Sequence, residues 1–189
     1  MVIVERVAKD EQKMNYIVFY SKNYIDLPLM IYLHRAGERD KVLLHLDRHG
    51  IPKLISEGKE IPAVILCPQC PAEYVWDNVV KDLKNLIDET VIKFGIKKDR
   101  ICITRSSMGG YGTWMMGLTY GNYFSAIAPV AGGGMSWRIS KLKTMPVYAV
   151  HGKLDGIDYA YRNTDLIEWL LSKRRTDFSE ISEVCSECF

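Results

Sequence analysis

The chain of 189 residues is long enough to bury a hydrophobic core without disulfides or metals. Its formal net charge of +2 is too small to indicate nucleic acid or a membrane surface as a partner. The first residues mix apolar and charged side chains, unlike a signal peptide, and no segment is apolar enough to span a bilayer. We therefore expect a cytoplasmic protein whose five cysteines are reduced. Without repeats or Pro-rich linkers, one domain is expected over residues 1–175, followed by a flexible tail over 176–189.

The apolar runs predict strands in a regular order along the chain. A pair of strands is expected at the start, over residues 2–7 and 16–20. Short, continuous apolar runs are typical of parallel strands buried on both faces. They occur at residues 29–33, 62–66, 101–104, 126–130 and 147–150.

Helical patterns separate these strands. Apolar residues recur at three- and four-residue spacing over residues 80–94, and Gly95 is expected to end that helix. Further helices are predicted over residues 108–120 and 166–171. The alternation predicts an α/β fold, with a mostly parallel sheet and helices on both faces. Ligands of such sheets bind at the carboxyl ends of the strands.

One segment carries most of the functional information. A buried strand runs directly into Ser107, which is followed by Met108, Gly109, Gly110 and the start of a helix. A tight strand-to-helix turn of this kind strains the serine backbone and exposes its hydroxyl above the sheet. The helix amides then face any negative charge that forms there. The alternative is a glycine-rich helix start with a capping serine.

Several motifs, in this order, carry a family resemblance. They are the stretch over residues 27–39 with His34-Arg-Ala-Gly37, Cys67-Pro-Gln-Cys-Pro71 with Trp76, the Ser107 turn, and residues 128–133 and 145–155. Over most of its length the chain resembles the serine carboxylesterases of the α/β-hydrolase fold, such as feruloyl esterases and polyhydroxybutyrate-depolymerase-like enzymes. The resemblance implies an α/β-hydrolase fold, a small-molecule ester as substrate and no cofactor.

The resemblance also assigns roles to individual residues. Ser107 falls on the nucleophile, and the Met108 amide falls on one donor of the oxyanion hole. The loop after the first parallel strand matches the H-G-x-G motif, whose amides near Arg35 and Ala36 would complete the hole. Asp155 falls on the acid that orients the catalytic histidine.

Three features depart from the family pattern. Arg105 replaces the first glycine of G-x-S-x-G, so that a long cationic side chain is expected to strain or reshape the turn. Arg35 replaces the glycine of H-G-x-G and is expected to shift the loop if that position needs a positive φ. No histidine follows Asp155, as if a helix, a strand and the catalytic histidine had been deleted there. The fold is therefore expected to be truncated near its C-terminal end.

Other groups are candidates for the missing base. His151 and His34 are expected near the site, although local hydrogen bonding explains each of them more simply. A second subunit is another source, because a lost strand would leave an open sheet edge that favours a homodimer.

Trp76 and Trp114 are expected either to line the substrate pocket or to fill the core. Two C-x-x-C pairs, Cys67 with Cys70 and Cys185 with Cys188, have zinc-like spacing, but no metal site is predicted. Two hypotheses remain. One is a serine esterase, and the other is an impaired hydrolase fold with a binding or structural role.

Overall fold

The computed structural model describes residues 2–8, 14–39, 42–152 and 157–175. Six strands form one sheet in the order β1-β2-β4-β3-β5-β6. Their bounds are β1 Val2–Val7, β2 Tyr16–Ser21, β3 Leu29–Tyr32, β4 Val64–Pro68, β5 Ile101–Ser106 and β6 Ala126–Val130. Strand β2 pairs antiparallel with β1 and β4, and the pairs β3–β4, β3–β5 and β5–β6 are parallel. The mixed, mostly parallel sheet is as predicted.

Two of the predicted strands differ in detail. Strand β4 begins at Val64 rather than at Pro62 and continues through Pro68. Pro62 has no amide hydrogen to donate to a neighbouring strand, whereas the Val64 amide bonds the Pro28 carbonyl at 2.9 Å. Residues 147–150, predicted as a strand, pair with β6 only through two isolated parallel bridges, at Val147 and Val150. The homodimer expected at this edge stays a prediction.

Within the described ranges, five helices cover the sheet. They are α1 Gly50–Ser56, α2 Val80–Phe94, α3 Met108–Thr119, α4 Ile157–Asn163 and α5 Leu166–Ser172. The predictions for α2, α3 and α5 are confirmed, including the left-handed Gly95 that ends α2 at φ 61°. Helices α1 and α4 were not predicted. No helix in the described residues is both long and apolar enough to cross a bilayer.

The core has two layers, one on each face of the sheet. Leu83 of α2 and Met116 of α3 pack on one face with Ile31 and Ile103. The apolar side chains of α1, α4 and α5 pack on the other face. This arrangement leaves the carboxyl edge of the parallel strands uncovered by these layers, and the sequence places its polar candidates there.

Candidate active site

Ser107 occupies a sharp turn between β5 and α3. Its backbone has φ 56° and ψ −130°, in a region that non-glycine residues rarely adopt. The Ser107 amide donates to the Val130 carbonyl at 3.0 Å, and its carbonyl accepts from the Tyr111 amide at 3.1 Å. These two bonds fix the turn to β6 and to the first turn of the helix. The geometry is that expected of a nucleophile elbow.

The loop after β3 differs from the predicted oxyanion loop at Arg35. Arg35 has φ −85° and ψ 169°, an ordinary extended conformation, so that the arginine causes no strain in place of glycine. Its amide donates to the Glu38 carboxylate at 3.3 Å and is therefore already engaged. The amides of Ala36 and Met108 have no acceptor within the described part of the chain. They are the two predicted donors that remain for an oxyanion.

His34 is buried and both of its ring nitrogens are occupied. Nε2 accepts from the Cys70 amide at 2.7 Å, and Nδ1 donates to the Arg35 carbonyl at 2.7 Å. The Trp76 indole donates to the His34 carbonyl at 3.0 Å. Burial lowers the pKa of the imidazole to about 4. The ring is thus a neutral support for the loop, and neither nitrogen is bonded to Ser107.

A pH effect follows from this histidine. Its pKa is about 4 in the fold against 6.5 ordinarily, so that the unfolded chain binds the proton more tightly. The free energy of unfolding should therefore fall by about 3 kcal/mol as the pH drops from 6.5 to 4. Urea unfolding at several pH values measures this. His34→Gln keeps a donor and an acceptor but cannot titrate. The free energy of unfolding of this variant should therefore fall less between pH 6.5 and pH 4. Identical pH profiles for both proteins would contradict this role.

Arg105 is fully buried beneath the turn, and the elbow keeps its shape around it. The guanidinium bonds both Glu38 oxygens, at 3.1 and 2.9 Å, and also the Tyr32 hydroxyl. Its centre lies 4.5 Å from the centroid of the Tyr32 ring. The buried charge is thus paired with Glu38, and the turn at Ser107 has the positive φ of an elbow with Arg105 present. Sequence reasoning missed Glu38, whose only local signal is its position three residues after Arg35.

His151 and Asp155 are the remaining residues of the predicted catalytic set. His151 is exposed, directly after the bridge between Val150 and Val130. Ser107 and Val150 both bond to the segment Val130–Ala131, so about two strand spacings, roughly 10 Å, separate the backbones of His151 and Ser107. Asp155 lies outside the described residues. Within those residues, Ser107 Oγ has no hydrogen-bond partner.

The two tryptophans differ in position. Trp76 is only 1% exposed and packs in the core, so that it lines no open pocket. Trp114 lines a cavity of about 190 Å³ with Asp77, Tyr111, Met115, Leu118, Gly133, Gly134 and Met135. Because Tyr111 lies one helical turn after Ser107, the cavity is next to the elbow at Ser107. Burial raises the pKa of the Asp77 carboxyl.

The first C-x-x-C pair is part of the interior. Cys67 and Cys70 are both buried thiols, and burial raises their pKa, for Cys70 to about 12. Cys185 and Cys188 lie outside the described residues. Among the residues that are described, no three metal-ligating side chains come together.

This chain matches known proteins by the shape of its fold and not by its sequence. Neither a scan of protein-family models nor a search of curated proteins finds a match. A thermostable esterase superposes with a TM-score of 0.70 at 21% identity, over 92% of this chain and 63% of its own. S-formylglutathione hydrolase from Staphylococcus aureus gives 0.64 at 16% identity, over 90% and 84% of the two chains. A feruloyl esterase module from Clostridium thermocellum superposes with a TM-score of 0.61 at 16% sequence identity, over 97% of this chain and 77% of its own.

These likenesses establish the fold. The chain has the fold of these esterases, as its motifs predicted, and it spans 63% of the length of the thermostable esterase.

Proposed function

We propose that this α/β-hydrolase-fold chain is a serine carboxylesterase that cleaves small, soluble esters by acyl transfer through Ser107. The observation that supports it most is the positive φ of Ser107 at the junction of β5 and α3. That conformation raises the hydroxyl above the sheet, beside the first amides of the helix. Such an arrangement has little value for stability, since the strain costs about 1–3 kcal/mol.

The chemistry would proceed in two steps. Ser107 Oγ attacks the ester carbonyl, and the negative charge that forms on the carbonyl oxygen is stabilised by the amides of Met108 and Ala36. The alcohol leaves, and water then hydrolyses the acyl-serine. The cavity beside Trp114 and Tyr111 suits a short acyl group or one aromatic ring. The proton of Ser107 needs a base, and His151 is the candidate, with Asp155 as the acid that orients it.

Two neighbouring serines give a direct test. Ser107→Ala should lower the hydrolysis of p-nitrophenyl acetate by at least about a thousandfold, to the residual rate that oxyanion contacts and binding alone supply. Ser106→Ala is the matched control. Ser106 is buried, and its hydroxyl has no hydrogen-bond partner within the described residues, so its loss should change neither activity nor stability. Equal activity of wild type and Ser107→Ala would refute the proposed nucleophile.

The second hypothesis is a hydrolase fold without catalysis, which has a binding or structural role. It is favoured by the engagement of both His34 nitrogens and by the absence of any histidine after His151 in the sequence. Under this hypothesis the wild type is as inert as Ser107→Ala. A fluorophosphonate, which phosphonylates an activated serine and releases fluoride, would then leave the protein mass unchanged.

A further inference from the structure

One carboxylate lies between the elbow and the loop after β3. Glu38 is 3% exposed, and its oxygens meet Arg105 Nη2 at 3.1 and 2.9 Å. The same carboxylate lies 3.5 Å from Arg35 Nε and accepts the Arg35 amide at 3.3 Å. Two guanidiniums, from two different segments, thus converge on a single buried acid.

The Arg105 side chain is fixed to the elbow by packing. Arg105 is two residues before Ser107, and a Cβ on Gly109 would lie 2.2 Å from Arg105 Cγ. The stem of the arginine therefore packs directly against the first turn of α3. Its guanidinium then crosses the end of β3, over the Tyr32 ring. Any movement of the elbow moves this arginine with it.

Arg35 is held on the side of the loop. Its guanidinium lies 2.7 Å from His49 Nε2, just before α1. The Glu38 carboxylate accepts the Arg35 amide, and the Glu38 amide donates to the Arg35 carbonyl at 3.0 Å, so that these two bonds close the turn that contains Ala36. A shift of this loop would separate the acid from Arg105 and leave the buried guanidinium of Arg105 without its carboxylate partner.

We propose that Glu38 is a positioning residue, which clamps the Ala36 amide at a fixed place relative to Ser107. The inference rests on the proposed function, since it assigns the second oxyanion donor of that site. Oxyanion donors act only when they are held near the position of the developing charge, and a displacement of about 1 Å costs roughly a hundredfold in rate. The ion pairs with Glu38 hold the Ala36 amide in one orientation, which a loop does not ensure by itself.

Glu38→Gln tests the clamp by two readouts. Hydrogen–deuterium exchange should accelerate by about tenfold or more in peptides that cover residues 33–39 and 104–110, since the charged contacts are lost. The kcat for p-nitrophenyl acetate should fall by about 10- to 100-fold, with KM within about twofold. Leu83→Ala is the control, because this core residue of α2 is buried away from the clamp. It should destabilise the protein without either local effect.

The outcomes separate the clamp from the esterase. Unchanged exchange in both peptides, or an equal change in Leu83→Ala, would overturn the clamp. Faster exchange with an unchanged kcat would overturn the positioning role. An inert wild type would count against the proposed function alone, and the exchange readout would still decide whether Glu38 holds the loop. If Glu38→Gln does not fold, Arg35→Gln, whose side chain is partly exposed, should accelerate exchange in residues 33–39 only. Unchanged exchange in Arg35→Gln would overturn the clamp.

Discussion

Replacement of Arg105 by methionine should lower the free energy of unfolding by about 3–5 kcal/mol. The substitution keeps an apolar stem but leaves the buried Glu38 carboxylate without the partner that bonds both of its oxygens. Arg35 still lies near the acid, but it is itself partly exposed. Urea unfolding followed by tryptophan fluorescence at pH 7 measures the loss.

The double variant Arg105→Met with Glu38→Gln is the control for this prediction. It removes both charges, so that no unpaired ion remains inside, and it should be more stable than Arg105→Met alone. A loss below about 1 kcal/mol for Arg105→Met would mean that water reaches the carboxylate. A double variant less stable than Arg105→Met alone would contradict the pairing.

The second large effect is expected at Gly110. A Cβ there would lie 2.6 Å from the Val130 carbonyl oxygen and 3.1 Å from Gly132 Cα, both of which are backbone atoms that no rotamer change can move. Gly110→Ala should therefore destabilise the fold by about 3 kcal/mol and displace the elbow, with loss of the proposed esterase activity.

Gly37→Ala is the matched substitution in the loop after β3. A Cβ on Gly37 meets nothing within 4 Å, and the residue does not have a positive φ. Its stability should change by no more than about 0.5 kcal/mol. Thermal unfolding of both variants makes the comparison. Similar melting temperatures would show that the contact between α3 and the segment after β6 is looser than the structure indicates.

The elements that could be predicted are those with a local cause. Apolar runs gave the strands, and α2 had a regular apolar face with Gly95 at its end. The turn at Ser107 could be predicted because a buried strand runs into a serine followed by glycines. By contrast, α1 begins with Gly50 and Pro52, which give no helical pattern. Its helix forms because tertiary contacts bury Ile51 and Leu54.

The candidate site was predictable in its outline and not in its electrostatics. The motifs placed Ser107, Met108 and Ala36 at one edge of the sheet. They could not show that the charge of Arg105 would be paired with Glu38, which is 67 residues away in the chain. The position of Glu38 three residues after Arg35 was the one local signal of its contact with the Arg35 amide, and it did not reveal the contact with Arg105. Contacts of this kind depend on the packing of three separate segments.

The shared acid also constrains how the sequence can evolve. If Arg105 alone were replaced by the glycine of the G-x-S-x-G pattern, the buried Glu38 carboxylate would lose its main partner. Replacement of Arg35 by glycine would remove the weaker of the two ionic contacts to Glu38, at 3.5 Å against 2.9 Å, and the contact with His49. Loss of Glu38 first would likewise leave the fully buried guanidinium of Arg105 without its partner, so positions 38 and 105 tolerate change only together. The three side chains are therefore coupled in their effect on stability.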